Sequence, residues 1–358
     1  MNKFLVGGAV RDKLLGLNPK DEDFVVVGST VEEMLSLGFE QVGADFPVFL
    51  HPETKDEFAL ARTERKSGTG YNGFVCETEN VTLEDDLMRR DLTINAMAED
   101  MNGVLIDPFN GKGDLDNKIL RHVSEAFAED PVRVLRVARF RARFGSEWRI
   151  AKETVALMCE LVKSGELDNL TKERVWAETQ KAMSEPHPEE FIRTLSRCGA
   201  LSVLFPEINP LSAFLAINWT SATTPPGKFA SAVFHLDPAT ITAMCARMKI
   251  PTFFREVAVT ASVLATENHK NLLQAENLLD LFERTDAIRK PVQFLEAVPV
   301  ACKVLTTDFL SGALEEMNGE EVKVTPEEVA SVPREKIGEL KRQKRVALLE
   351  KLLVQCGV

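Results

Sequence analysis

Two aspartates near the N-terminus have the spacing of a metal-holding pair. Asp21 and Asp23 flank Glu22 directly before the apolar run FVVV at residues 24–27. If this run is a strand, alternate side chains share a face, so the two aspartates project together and Glu22 points away. Two carboxylates in this arrangement can hold two Mg²⁺ ions, which activate an attacking hydroxyl and stabilise a leaving pyrophosphate. A solvated acidic turn after Pro19 is the alternative interpretation.

A glycine pair upstream of the aspartates favours the metal interpretation. The run LVGGAVRD at residues 5–12 predicts a short strand that turns through Gly7 and Gly8 into a helix. Glycines let a backbone approach phosphate closely, and a helix N-terminus offers N–H groups to an anion. Arg11 adds a cation one turn into the helix. Gly8 and Arg11 are therefore candidate triphosphate-binding residues, although a glycine turn alone is more often a plain connection.

A third pattern lies in the run EDPVRVLRVARF at residues 129–140. Its proline suits the first turn of a helix, and Asp130 suits the N-cap. At helical spacing Asp130, Arg133 and Arg136 fall on one stripe, which Arg139 continues, while the apolar residues fall on the opposite side. An aspartate and an arginine held side by side can present acceptors and donors to the Watson–Crick edge of a base. The helix is therefore predicted to have one charged face and one packed face.

The elements that must position these residues change character near residue 120. Short apolar runs punctuated by glycine predict strands at residues 4–6, 24–27, 48–50, 57–61 and 104–106. Beyond residue 120 glycine becomes sparse and helical spacing dominates. The prediction is an α+β protein, in which an N-terminal head with a small mixed sheet and helices precedes an all-α neck, body and tail. We expect these parts at residues 1–118, 119–210 and 211–358, with a soft second boundary where TTPPG at residues 223–227 interrupts the pattern.

The composition is that of a soluble protein from a reducing compartment. Of its 358 residues, 44% are hydrophobic and 27% are charged, which is ordinary for globular domains. The six cysteines form no C-x-x-C pair, and no run resembles a signal peptide or a membrane span, so we expect a cytoplasmic protein. The net charge of −12 argues against indiscriminate binding of nucleic acid. Local basic stretches at residues 133–149 and 336–345 could still hold RNA or be solvated helix faces.

In combination, these motifs resemble the polymerase-β-type nucleotidyltransferase superfamily and, more closely, the bacterial class II CCA-adding enzymes. The glycine and aspartate runs GGAVRD and PKDED carry the first part of the resemblance. It continues through RTERKSG (62–68), RRDLTINA (89–96), DPFNG (107–111), EDPVRVLRVARF (129–140) and TKERVW (171–176). These ordered motifs cover about the first 210 residues of the chain.

The resemblance implies template-independent addition of CMP, CMP and AMP to the 3′ end of tRNA, with CTP and ATP as substrates. Asp21 and Asp23 would be the catalytic residues, which hold two Mg²⁺ ions or Mn²⁺ in their place. The family uses the pair that corresponds to Asp130 and Arg133 as a protein template for C and A. The other nucleotide-binding residues that the resemblance implies are Gly8, Arg11, Arg90, Asp91, Asn95, Arg136 and Arg139.

Three of these residues lie in the RRDLTINA run. Arg90 can direct a cation at phosphate, and Asp91 can accept a hydrogen bond from a ribose hydroxyl. Asn95 shares their face one helical turn onward, although a surface ion pair with a helix cap would use the same residue types. The run GTGYNG at residues 68–73 does not follow a strand and open a helix, so it is not a dinucleotide fingerprint. It resembles a family loop that assists the switch from adding C to adding A.

The C-terminal part departs from relatives that carry an HD phosphohydrolase domain. His235 and Asp237 are separated by one residue, and the chain has no His-Asp dipeptide. We therefore predict no phosphohydrolase activity, and a helical body that binds the tRNA acceptor stem by its shape. No feature indicates an obligatory protein partner. A poly(A) polymerase that shares the head motifs, and a non-catalytic RNA-binding relative, are the alternative functions.

Overall fold

The computed structural model of the chain describes residues 1–19, 21–42, 47–66, 74–208, 222–267, 271–302 and 305–355. The chain forms two compact units, Met1–Leu204 and Phe205–Val358. In the described ranges, no helix is both long enough and apolar enough to cross a membrane. The predicted boundary at residue 118 lies inside the first unit, and the one at residue 210 lies outside the described residues. The three-part division therefore stays a prediction.

A mixed sheet of seven strands organises the N-terminal region. The chain provides, in order, β1 (Asn2–Val6), β2 (Asp23–Val27), β3 (Glu40–Val42), β4 (Val48–Leu50), β5 (Glu57–Leu60), β6 (Thr63–Lys66), β7 (Phe74–Glu77), β8 (Ala98–Asp100) and β9 (Leu105–Ile106). The seven-stranded sheet has the order β3-β4-β5-β2-β1-β8-β9, while β6 and β7 pair separately. Strands β2 and β5 are parallel, and the other neighbours are antiparallel. The predicted mixed sheet is confirmed.

The central strand β2 is covered on both faces, which explains its unbroken apolar run. Val26 packs into a cluster with Met34 and Phe49 on one face. Val25 packs with Val6 and Leu87 on the other. Burying both faces of the strand that begins at Asp23 fixes the backbone next to the aspartates.

The predicted strands are present, with ends shifted by a residue or two. Strands β3, β6, β7 and β8 were not predicted. Strands β3 and β8 are short and carry polar residues such as Glu40 and Glu99, which hide the alternating pattern. Among the described residues beyond residue 120, the all-helical expectation fails at β11 (Arg149–Ile150), which pairs with β10 (Ile119–Leu120). A two-residue pairing is too short to produce a periodicity.

Helices complete the first unit. They are α1 (Gly8–Leu14), α2 (Val31–Ser36), α3 (Leu83–Met88), α4 (Gly111–Asp116), α5 (Val132–Phe144), α6 (Lys152–Lys163), α7 (Lys172–Met183), α8 (Pro188–Cys198) and α9 (Ala200–Leu204). The predicted amphipathic character of α5 is confirmed, because Val134, Leu135, Val137 and Ala138 are all fully buried. The arginines of the opposite face of α5 line the cavity described below.

In the described residues of the second unit, every regular element is a helix. Its helices are α10 (Pro225–Val233), α11 (Pro238–Arg247), α12 (Thr252–Thr266), α13 (Ala275–Arg284), α14 (Pro291–Ala301), α15 (Thr307–Glu316), α16 (Pro326–Ser331) and α17 (Ile337–Gln355). The TTPPG run does not interrupt a helix but starts one: Thr224 caps α10, and Pro225 and Pro226 occupy its first turn. Proline is tolerated there because the first-turn N–H groups have no intrahelical partner.

Candidate active site

A cavity of about 610 Å³ in the first unit collects all of the predicted site residues except Asp21, which is not among the described residues that line it. Of the residues implied by the sequence, it is lined by Gly8, Arg11, Asp23, Arg90, Asp91, Asn95, Asp130, Arg133, Arg136 and Arg139. The cavity also takes in Gly7, Arg89, Val132, Phe140, Arg143, Arg174, Ala177 and Glu178. Segments from β1 to α7, far apart in sequence, therefore meet at one place.

Arginine dominates the charge of this cavity, although the whole chain carries −12. Its eight cations are Arg11, Arg89, Arg90, Arg133, Arg136, Arg139, Arg143 and Arg174. Its four acids are Asp23, Asp91, Asp130 and Glu178. A concave site with this excess of guanidinium groups attracts an anionic ligand such as a nucleoside triphosphate.

Only one of the two aspartates belongs to β2. The strand begins at Asp23, so Asp21 precedes it, contrary to the expectation that both belong to one strand. The reason is the pairing: β2 pairs with β5 from Asp23 onward and with β1 from Phe24 onward, so the pairing with both neighbouring strands starts after Asp21. Both aspartates are exposed.

The two carboxyl groups nevertheless interact. The pKa of Asp23 is raised above its usual value, first by partial desolvation and also by the negative charge of Asp21, while Arg90 acts in the opposite direction. Mutual repulsion of this kind is relieved when a divalent cation binds. No cluster of three or more acidic, histidine or cysteine side chains that could hold a metal occurs in the described ranges. The pair Asp21 and Asp23 stays the candidate metal site that the sequence predicts.

The turn beside the aspartates requires glycine. Gly7 has a left-handed φ of 68° and caps α1 from its N-terminal side. A Cβ atom at this position would lie 2.6 Å from Nη1 of Arg90, which packs directly over the turn. Gly7 therefore allows both the backbone conformation and the close approach of the guanidinium group.

The buried carboxylate of Asp86 positions the side chain of Arg90. Asp86 is fully buried and forms ion pairs with Arg89 at 2.9 Å and with Arg90 at 3.2 Å. Burial raises the pKa of Asp86, but the two guanidinium groups outweigh it and leave the pKa below its usual value. Within the described part of the chain, the buried Nε of Arg90 has no hydrogen-bond partner. An unsatisfied donor at the cavity wall is available to a ligand.

Asp91 is the centre of a buried hydrogen-bond network. It is 5% exposed, and it accepts hydrogen bonds from the backbone N–H of Leu92 at 2.9 Å, from Nδ2 of Asn95 at 2.9 Å and from Nε of Arg136 at 2.7 Å. Asn95 reaches Asp91 from a short 3-10 turn, Thr93–Asn95, and not from an α-helix as its spacing suggested. Asp91 thus positions an arginine of α5 in addition to any contact with a nucleotide.

Arg11 is more enclosed than a simple phosphate-binding cation. It is 4% exposed, donates from Nη1 to Asn95 and pairs with Asp12 at 2.9 Å. The rings of Phe140 and Phe144 on α5 lie 5.2 Å and 5.9 Å from its guanidinium carbon. Its side chain therefore ties α1 to α5 as well as lining the cavity.

The predicted base-reading pair has other partners in this structure. Asp130 lies just before α5 and accepts hydrogen bonds from Nη2 of Arg174 at 2.8 Å and 3.0 Å. Arg133 donates at 2.6 Å to the carbonyl oxygens of Ala126 and Arg89. Asp130 also accepts from the N–H of Val132 at 3.2 Å, so its side chain contacts the first turn of α5, although the N-cap is Pro131 and not Asp130 as predicted. Both side chains face the cavity.

Apart from Arg89 of the RRDLTINA run, three charged residues of the cavity were not predicted as site residues. Arg174 belongs to the TKERVW run but was interpreted only as part of a helix start, where Thr171 does cap α7. Glu178, one turn after Arg174, binds Arg139 at 2.7 Å. Arg143 continues the arginine spacing of α5 one turn past Arg139. The i, i+4 steps from Arg174 to Glu178 and from Arg139 to Arg143 were the available signals.

Other expectations concern parts away from the cavity. The GTGYNG run lies outside the described residues. Asp237 caps α11, and both ring nitrogens of His235 have no partner in the described ranges. In the C-terminal basic stretch, Arg342 pairs with Asp280 and Glu283, and Lys344 pairs with Glu328 at 2.6 Å. These cations are neutralised within the second unit.

Comparison with known proteins identifies the family. Residues 3–121 match the model of the poly A polymerase head domain, and residues 148–211 match that of a probable RNA and SrmB-binding site of polymerase A. The multifunctional CCA protein of Haemophilus influenzae (strain PittGG) is 48% identical across 84% of this chain and 83% of its own length. That of Legionella pneumophila (strain Lens) is 45% identical across 99% and 98%. A solved CCA-adding enzyme in complex with ATP aligns with a TM-score of 0.68 at 25% identity, over 99% of this chain and 88% of the other. The chain therefore belongs to the bacterial class II CCA-adding enzymes, which are tRNA nucleotidyltransferases.

Proposed function

We propose that this enzyme adds CMP, CMP and AMP to the 3′ end of tRNA in the arginine-rich cavity of its first unit. The observation that carries the proposal is the convergence there of the Gly7 turn, Asp23 and eight arginines, which matches the needs of a triphosphate that is attacked at its α-phosphate. CTP and ATP are the nucleotide substrates, and the acceptor stem of tRNA is the nucleic-acid partner. We place the reaction in the cytoplasm.

Asp21 and Asp23 fit a divalent metal ion because they are exposed, repel each other and offer only oxygen donors. Two Mg²⁺ ions held there, or Mn²⁺ in their place, would lower the pKa of the tRNA 3′-hydroxyl and stabilise negative charge on the leaving pyrophosphate. The carboxylates stay ionised in this role, so the raised pKa of Asp23 must fall on metal binding.

The cavity residues would hold the nucleotide at its two ends. Gly8, Arg11 and Arg90 line the cavity. The backbone at Gly8 and the two guanidinium groups would bind the triphosphate, where each charge-assisted hydrogen bond would offset part of the phosphate charge. Asp91 and Asn95 lie beside them and would orient the ribose. A carboxylate has about four lone-pair sites, so Asp91 keeps one acceptor site after its three protein donors.

The choice of base falls to α5. Asp130 and Arg133 would turn from Arg174 and from the two carbonyl oxygens toward the Watson–Crick edge of C or A, while Arg136 and Arg139 contact the base or the phosphates. A bidentate contact of this kind discriminates by about 1–3 kcal/mol. The second unit would hold the RNA duplex by its A-form shape.

Arg133→Ala should blur the choice of nucleotide. We expect the ratio of CMP to UMP incorporation to fall by about 10-fold or more, because a bidentate contact worth about 1–3 kcal/mol is lost. Competition between labelled CTP and UTP on tRNA that lacks its CCA end measures this ratio. Arg149→Ala, at an exposed position outside the cavity, is the matched control and should keep the wild-type ratio. An unchanged ratio in Arg133→Ala would contradict the template role.

Gly7→Ala should disable the phosphate side of the site. The added Cβ would meet Arg90 Nη1 at 2.6 Å, so kcat/KM for CTP should fall about 10- to 100-fold as the guanidinium group moves. Gly16→Ala is a matched control, because Gly16 has a similar φ of 72° but nothing within 4 Å of its new methyl group. Steady-state kinetics of both variants separate backbone strain from the clash. Equal losses in the two variants would reject the assigned contact.

Sequencing of product ends tests the whole proposal. The protein is incubated with Mg²⁺, CTP, ATP and tRNA that lacks its last three nucleotides. We expect ends that stop at CCA, and no extension when EDTA replaces Mg²⁺. With ATP alone and tRNA that ends in CC, a single A supports the proposal, whereas long A tails indicate a poly(A) polymerase. Absence of any extension would indicate a non-catalytic RNA-binding protein.

A further inference from the structure

Asp12 connects two parts of the site that lie far apart in the sequence. It is 8% exposed on α1, and its Oδ1 accepts a hydrogen bond from Nε of Arg11 at 2.9 Å. Its Oδ2 accepts from Nη2 of Arg143, at the C-terminal end of α5, also at 2.9 Å. One carboxylate therefore bridges a cation on the phosphate-side helix and a cation on the base-side helix.

The bridge belongs to a longer chain of contacts between α1 and α5. Arg11 donates to Asn95, Asn95 donates to Asp91, and Asp91 accepts from Arg136 of α5. Arg143 and Arg136 are seven residues apart, which is two helical turns. The helix is thus held to the turn region at two points of the same face, and Asp12 makes one of them.

The charge of Asp12 reduces the repulsion between Arg11 and Arg143. The pKa of Arg11 lies below its usual value because the side chain is buried; the charge of Asp12 opposes this effect, and the charge of Arg143 adds to it. Two guanidinium groups that are close enough to weaken each other need an anion between them. Without that anion, repulsion would separate Arg143 from α1.

We propose that Asp12 is a positioning residue that sets the distance between the Gly7–Gly8 turn and the base-choosing face of α5. Arg11 and Arg143 line the cavity, whereas Asp12 is not among its described lining residues, so it acts through them. A nucleotide bound by its phosphates at one end and by its base at the other fits both contacts only at one distance between them, so a change in this distance should lower the rate and the base selectivity. The inference rests on the proposed function and assigns to that site a determinant of base choice.

Asp12→Asn tests the role with little change of shape. We expect kcat/KM for CMP addition to fall about 10- to 100-fold, mainly through kcat, and the ratio of CMP to UMP incorporation to fall about 10-fold. Glu190→Gln is the matched control: Glu190 is 9% exposed and pairs at 3.1 Å with Arg141, which is on α5 but not among the described cavity residues. That variant should keep the wild-type ratio. A wild-type ratio in Asp12→Asn would overturn the proposal.

Arg143→Gln breaks the same contact from its other side and is the second test of the proposal. Arg143 is 31% exposed at its side chain, so this change leaves no fully buried gap, and it should reduce the CMP to UMP ratio as Asp12→Asn does. The double variant should be no more than about 3-fold worse than Asp12→Asn, because both changes break one interaction. Losses that multiply would show that Arg143 acts on the nucleotide independently of Asp12 and would reject the bridge. If Asp12→Asn does not fold, Arg143→Gln decides alone, and an unaltered ratio rejects the proposal.

Wild-type protein in the same assay distinguishes a failure of the proposed function from a failure of the proposed role of Asp12. Failure of the wild type to complete CCA ends would reject the proposed function. Normal wild-type addition, combined with multiplying losses or unaltered choice in the variants, would reject only the role of Asp12.

Discussion

Replacement of Asp23 by asparagine is expected to abolish nucleotide addition while it leaves the fold and tRNA binding intact. Asp23 is exposed, so the change leaves no buried group without a partner. It removes one of two anionic groups needed to hold the divalent ions, and we expect a loss of at least about 1,000-fold, equivalent to about 4 kcal/mol of transition-state stabilisation. Single-turnover incorporation of labelled CMP, with a binding titration of the same tRNA, measures both quantities.

Glu22→Gln is the control for this experiment. Glu22 lies between the two aspartates and is also exposed, and the substitution removes the same charge. We expect its rate to stay within about 3-fold of the wild type, since an exposed charge outside the pair contributes little. Asp21→Asn should resemble Asp23→Asn. Turnover retained by Asp23→Asn, or lost equally by Glu22→Gln, would refute the metal assignment.

Asp91→Asn is expected to damage both stability and activity. The carboxylate is 5% exposed and holds Arg136 at 2.7 Å, so its loss leaves a partly covered guanidinium group without its counter-ion. Breaking such a pair should cost about 2–3 kcal/mol, the lower part of the range for buried pairs because Arg136 remains partly exposed. For a unit of this size the unfolding midpoint should fall by about 5–10 °C. CMP addition should fall about 100-fold as Arg136 and Asn95 lose their positions.

The effect of Asp91 on stability should depend on pH in a defined direction. Burial raises the pKa of Asp91, but the charge of Arg136 and hydrogen bonds from Asn95 and Arg136 outweigh it, so the pKa lies well below its usual value of 3.8. A carboxyl with a depressed pKa in the folded state stabilises the protein above about pH 4, and this contribution is lost as the pH falls further. The melting difference between wild type and Asp91→Asn should therefore be full at pH 7 and smaller at pH 3.

An exposed ion pair offers the matched control for Asp91. Asp116 pairs with Lys112 on the surface, and its side chain is 58% exposed. Asp116→Asn should shift the unfolding midpoint by no more than about 2 °C, because surface pairs contribute about 0–1 kcal/mol. Equal shifts in the two variants, or a difference that does not shrink at low pH, would contradict the buried network.

The sequence was most informative where local spacing decides the structure. The glycine pair predicted a strand-to-helix turn, and Gly7 does adopt a left-handed φ there. The 3.6-residue period of the run after Asp130 predicted a helix with a packed face, and Val134 and Leu135 are fully buried. In both cases neighbouring residues along the chain set the geometry, so a pattern of about a dozen residues was sufficient.

Contacts between distant segments escaped the sequence reasoning. Asp12 and Arg143 are separated by 131 positions, and Asp130 and Arg174 by 44. No periodicity encodes such pairs, because they depend on how the head packs against α5 and α7. Asp21 was placed in a strand for a related reason: only the register of β2 against β1 and β5 shows that strand pairing starts at Asp23. Most residues that line the cavity could be predicted from the sequence, whereas the hydrogen-bond network that positions them could not.

A crystal of the enzyme grown with CTP and Mn²⁺ tests the central claim most directly, because anomalous scattering locates the metal without reference to the protein. We expect metal density bridging the carboxyl groups of Asp21 and Asp23, with the triphosphate along the Gly7–Gly8 turn and the cytosine toward α5. Metal bound elsewhere, carboxyl groups that point apart, or a triphosphate outside the arginine-rich cavity would contradict it.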